Sequence, residues 1–164
     1  MNSFNPVYIS DGDSDTQSIE EINLPIPSKE QEKIILNFRD NNLLINSVVG
    51  AGKTTTVLLL AQAYPDKNFL LLTYNKRLKL DTRSRGFSLP NLEVHSFHSF
   101  CVRYYHKSCH TDYGLLHVLD NSFNSSDCDK KFSTIVIDEA QDLNPLYYEI
   151  VCKIIHDFSE YDSA

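Results

Sequence analysis

The eight residues Ser47-Val48-Val49-Gly50-Ala51-Gly52-Lys53-Thr54 constrain this chain more than any other stretch. They follow the apolar run Leu43-Leu44-Ile45, which suits a buried strand. They precede Thr55-Thr56-Val57-Leu58-Leu59-Leu60-Ala61-Gln62-Ala63, which suits a helix. Strand, small-residue loop and helix in that order form a cradle in which backbone N–H groups, not side chains, wrap phosphate. Gly50 and Gly52 supply the backbone freedom and Ala51 keeps the loop narrow. Lys53 is placed to reach β- and γ-phosphates as a point charge, and Thr54 to put its hydroxyl on Mg2+. Thr55 continues the helix N-terminus that receives the phosphates. The usual first glycine is replaced by Ser47, which is small and keeps its N–H.

A second stretch, Ile135-Val136-Ile137-Asp138-Glu139, ends an apolar strand in two carboxylates. Open α/β sheets hold their ligands at such carboxyl ends. Asp138 suits Mg2+, held through water, and Glu139 suits positioning or deprotonation of an attacking water. Loop and carboxylates together point to ATP and Mg2+.

Around these two stretches strands and helices alternate. Ser28 can cap a helix whose N3 residue is Gln31, with Ile34, Ile35 and Phe38 as its apolar face. Strands are expected at Leu43–Ser47, Asn68–Thr73, Leu92–Val94 and Phe132–Ile137. Helices are expected at Lys53–Ala63, Ser96–Tyr105, near Leu115–Leu119 and from Pro145 through Ile155, with a short basic helix or turn at Lys76–Arg83. Continuous apolar strands separated by helices predict an α/β fold, a mostly parallel sheet covered on both faces. Residues 1–24 carry Asp11, Asp13, Asp15, Glu20 and Glu21 among small polar residues and predict a disordered acidic tail ahead of a domain spanning 25–160.

Net charge of -7 excludes a surface that binds nucleic acid all over, yet the stretch Lys76–Arg85 holds five basic residues and one acidic. There is no basic-then-apolar leader and no run of 18 apolar residues. An intracellular protein without a membrane partner is expected, its four cysteines reduced. Cys101, His106, Cys109 and His110 lack the two compact pairs of a zinc site, and nothing marks a substrate pocket beside Cys101 and His98. His95 carries no separate signal.

Asp138-Glu139-Ala140-Gln141-Asp142 resembles the second motif of superfamily 1A DNA helicases, the group of the bacterial Rep, UvrD and PcrA helicases and the eukaryotic F-box DNA helicase. Three more pieces agree in order: Pro27-Ser28-Lys29-Glu30-Gln31 with the Q motif, Thr73-Tyr74-Asn75-Lys76 with the motif after the second strand, and Ser96-Phe97-His98-Ser99-Phe100 with the next DNA-facing motif. The resemblance covers about residues 25 to 156 and implies the first RecA-like domain of such a motor, a three-layer P-loop fold.

It further implies that Gln31 reads the adenine edge and that Gln141 passes the nucleotide state to a second domain. Tyr74, Asn75, Lys76, Phe97 and His98 would touch single-stranded DNA, aromatic rings stacking on bases while cations hold phosphates. The later motifs, with the second RecA-like domain and its arginine, have no counterpart in the 164 residues; that domain or a partner chain would have to supply them. The expected function is ATP binding with poor hydrolysis in the isolated chain, and hydrolysis-driven translocation on single-stranded DNA in the complete motor. A stand-alone P-loop ATPase or nucleotide kinase, and a non-catalytic adaptor retaining the helicase fold, remain as alternatives.

Overall fold

The computed structural model describes residues 24–38, 42–46, 52–74, 89–125 and 129–160. The expected acidic tail, except for Leu24, lies outside the described residues, as do Ser47 to Ala51 of the loop and the basic run after Tyr74. Five α-helices and three strands are described. They are α1 (Lys29–Asn37), α2 (Lys53–Ala63), β1 (Phe69–Leu72), β2 (Leu92–His95), α3 (Phe97–Tyr104), α4 (Asp112–Leu119), β3 (Thr134–Ile137) and α5 (Pro145–Phe158). Short 3-10 turns at Lys107–His110 and Ala140–Asp142 complete the path.

Local chemistry sets the helix starts. Ser28 and Gln31 close a reciprocal capping box on α1, and Ser96 and Ser99 close one on α3. Thr111 caps α4, and Asn144 caps α5 just before Pro145, whose missing N–H costs nothing at that position. α5 runs to Phe158, one turn beyond Ile155, because Phe158 is fully buried and holds the last turn on the core.

The strands pair in parallel in the order β2-β1-β3, with Leu72 opposite His95 on one side and Ile137 on the other. β1 is buried along its whole length, and its alternate residues pack on the two faces of the sheet. Leu70 and Leu72 pack with Phe97 and Phe100 of α3, Leu115 of α4 and Ile150 and Ile154 of α5. Phe69 and Leu71 face the other way, Leu71 beside Val57 and Phe69 beside Leu60 and Ala61 of α2, with Ile34 and Ile35 of α1 packed outside. The sheet is therefore covered by helices on both faces, as the continuous apolar runs predict.

One expected strand is absent. Residues 42–46 form no strand, and Leu44 stands 93% exposed. Three apolar residues between Asn42 and Asn46 make a short run, and a strand has no stability without a ladder partner. Here Leu43, Leu44 and Ile45 instead line an open groove with Lys33, Ile34 and Asn37 of α1. Among the described residues nothing pairs with the outer edge of β3, which stays half-buried where β1 is fully buried. Phe132, expected in the same strand as Ile137, makes an isolated bridge to Ser159 at the end of α5 instead. None of the described helices is long and apolar enough to cross a membrane.

Candidate functional site

β1 and β3 run side by side, so their carboxyl ends deliver Thr73 and Asp138 to one place. The Thr73 hydroxyl donates to Asp138 Oδ2 at 3.2 Å, and the Asp138 N–H is fixed to Leu72 O at 2.9 Å. Burial pushes the Asp138 carboxyl up from its usual value, and the neighbouring Glu139 charge adds to that, against the Thr73 bond and the Lys53 charge. A partly desolvated carboxylate of this kind gains by meeting a cation.

Glu139 leaves the strand in the left-handed region, φ 51 and ψ 47, which non-glycine residues rarely adopt. The Glu139 Oε1 lies 2.9 Å from Lys53 Nζ, and Oε2 accepts from Gln141 Nε2. Lys53 and then Gln141 hold the Glu139 carboxyl below its usual range, and the same contact raises the Lys53 ammonium. Among the described residues, the two stretches that carry the chemistry in the sequence thus meet through the Lys53–Glu139 ion pair.

Lys53 is the first residue of α2, whose N-cap Gly52 is left-handed at φ 82 and offers no side-chain cap. Among the described residues no side chain caps the first N–H groups of α2, and such groups suit an outside acceptor. Thr56 is buried and turns inward, its N–H and hydroxyl both donating to Gly52 O, at 2.9 and 3.0 Å. Gln31 reaches the same point from α1: its Nε2 donates to Thr56 Oγ1 at 3.1 Å and to Gly52 O at 3.4 Å. Thr54 and Thr55 are half-buried in the first turn of α2. Gly50 and Ala51 lie outside the described residues.

No protein-family model, curated protein or solved structure matches this chain. What it does has to be read from the site itself.

Of the residues expected to meet DNA, Asn75 and Lys76 lie outside the described residues. Tyr74, Phe97 and His98 come together in one aromatic group around Tyr147 of α5. Tyr74 and Phe97 have ring centroids 4.9 Å apart, and Tyr147 sits 5.0 Å from Tyr74 and 5.1 Å from Phe97. Phe97 is 1% exposed, so it presents no ring face to solvent; it supports the group from beneath. His98 lies on the outside, its Nε2 3.0 Å from Asp112 Oδ1, and Tyr147 donates to the same oxygen at 3.0 Å. Burial and then this bond push the Tyr147 phenol up to about 12, so it stays a donor.

Sequence reasoning missed Tyr147, Asp112 and Thr73 as partners. Only Thr73 carried a signal, as the residue that opens the motif before Tyr74. It also missed a polar cluster at the β2 edge. Glu93 there accepts from Tyr104 at 2.6 Å, meets His95 at 3.2 Å and pairs with Lys130 at 2.8 Å.

Proposed function

We propose that this chain is the ATP-binding, RecA-like P-loop domain of a superfamily 1A type DNA helicase, which in the complete motor drives translocation along single-stranded DNA. The observation that carries the reading is the Lys53–Glu139 contact with Asp138 alongside, at the carboxyl ends of two neighbouring parallel strands. The order of the helicase-like motifs in the sequence supports it.

The residues fit Mg2+. Asp138 and Thr54 offer hard oxygen donors, the kind this cation takes. Mg2+ ordinarily takes one or two carboxylates together with phosphates and water. Held by Asp138 and Thr54, it would supply positive charge to offset that of the phosphates.

Lys53 would exchange its Glu139 partner for the β- and γ-phosphates, and Glu139 would be released. Without the ammonium beside it the carboxyl moves back toward its usual value and becomes the better base for an attacking water. Gln141, already bonded to Glu139, would keep the carboxylate aimed, and the Thr73 bond would hold Asp138.

The test is Mg2+-dependent ATP binding and turnover, with and without single-stranded DNA, beside Lys53→Ala. Binding that is lost in the variant, with little turnover in the 164-residue chain, is expected. An arginine from a second domain contributes about 10^3–10^5 in related phosphoryl-transfer sites. Brisk Lys53-dependent turnover would favour an autonomous ATPase, and no nucleotide binding at all would sink the reading.

A further inference from the structure

We infer that Gln31 is a positioning residue for the phosphate end of α2, acting on a bound triphosphate through Gly52 and Thr56 whatever base the nucleotide carries. The inference rests on the nucleotide reading above and departs from the adenine-reading role that the helicase resemblance implies.

The Gln31 amide is engaged at both ends. Its Oε1 accepts from Ser28 N at 2.9 Å, inside the capping box of α1. Its Nε2 has two hydrogens, and it has two acceptors, Thr56 Oγ1 at 3.1 Å and Gly52 O at 3.4 Å. The orientation follows from the partners. A flipped amide would set a donor against the Ser28 N–H and an acceptor against the Gly52 carbonyl. A purine edge seeking a donor would find none left on Gln31 without breaking the contact to α2.

Gly52 is shaped for this contact on two counts. Its φ of +82 belongs to the region that favours glycine, and a Cβ there would meet Gln31 Nε2 at 3.2 Å. Gln31, Gly52 and Thr56 therefore form a closed group, since Thr56 also donates to Gly52 O through both its N–H and its hydroxyl. That group fixes the peptide preceding Lys53, and with it the direction of the first N–H groups of α2. Triphosphate held by those groups is indifferent to the base, so the effect of Gln31 must be too.

The experiment uses the 164-residue chain and two variants. Gln31→Met is neutral and of similar size but cannot hydrogen-bond; Gln31→Glu keeps the acceptor for Ser28 and loses the donor. The Mg2+ complexes of ATP, GTP and inorganic tripolyphosphate are titrated by calorimetry. Amide hydrogen exchange is followed at Thr56 and Ile154 without ligand. Both variants should weaken all three ligands by a common factor of about 3–10, the scale of one or two lost neutral hydrogen bonds. Thr56 should exchange at least about tenfold faster, and Ile154 should not change.

Weakening of ATP alone would make Gln31 a base reader and overturn the inference. Should the wild type bind none of the three, the nucleotide reading fails and the inference falls with it; wild-type binding with unchanged affinities in the variants overturns the inference alone.

Discussion

At the scale of single residues, the resting site is a self-contained ion pair. Lys53 is held by Glu139, the residue to which the proposed function gives the attacking water, so in that reading binding and chemistry compete for one contact. Glu139→Gln should separate them. The pair is partly exposed and its attraction is weak, so freeing Lys53 should tighten Mg2+–ATP binding by no more than about fivefold. Loss of the base should lower whatever turnover the wild type shows by about 10^2–10^4. Parallel binding and phosphate-release measurements check both; an unchanged rate would remove Glu139 from the chemistry. The placement of Lys53 at a helix start and of Asp138 and Glu139 after a strand was legible, because the flanking residues carry the patterns of those elements. The left-handed backbone of Glu139 was not, since glutamate has no preference for it and only the finished turn at Ala140–Asp142 imposes it.

At the scale of elements, the apolar runs of β1 and β3 and the helix-opening residues Ser28, Ser96 and Pro145 were readable from local chemistry, and each marks an element in the structure; the Asn144 cap was not singled out. The run Leu43-Leu44-Ile45 has the same character and forms no strand. The difference lies in pairing, which a run of three side chains does not specify: β1 has neighbours on both edges, and residues 42–46 have none among the described residues. Stability distinguishes the two environments. Leu44→Ser should change the unfolding free energy by less than about 0.5 kcal/mol, as for exposed sites. Leu70→Ala, in the fully buried central strand, should cost about 3–5 kcal/mol. Urea unfolding of both variants reads this directly. A loss above about 1.5 kcal/mol for Leu44→Ser would show that its side chain is buried in solution, as a strand at Leu43–Ser47 would require.

At the scale of the whole molecule, the sheet edge is tied to its surroundings by one carboxylate that the sequence did not single out. Glu93 of β2 gathers Tyr104 from α3, His95 from its own strand and Lys130 from the segment before β3. A glutamate two residues from a histidine in a short strand carries no pattern, and the partners converge only once α3 folds back over the sheet. Burial pushes the Glu93 carboxyl up, but the bonds from His95, Lys130 and Tyr104 outweigh it and hold it well below the usual carboxylate range. A pKa lower in the folded than in the unfolded chain means the folded state releases this proton more readily. The stabilisation is then fully present above the unfolded value, near 4.3, and fades as pH falls toward the lower folded value. Asp157 follows the same sign: burial raises it, and His156, Tyr105 and Lys153 together pull it down. Asp138, raised by burial, has the opposite sign and softens the acid loss without reversing it. Glu93→Gln should therefore lower unfolding free energy by about 2–3 kcal/mol at pH 7, the cost of leaving buried partners unmatched. The gap to wild type should narrow steadily from pH 4.5 downward, because protonation removes the same interaction from the wild type. Urea unfolding at pH 7, 5, 4 and 3 measures it, and a gap that stays constant to pH 3 would mean that Glu93 stabilises the sheet edge by packing and not by its charge.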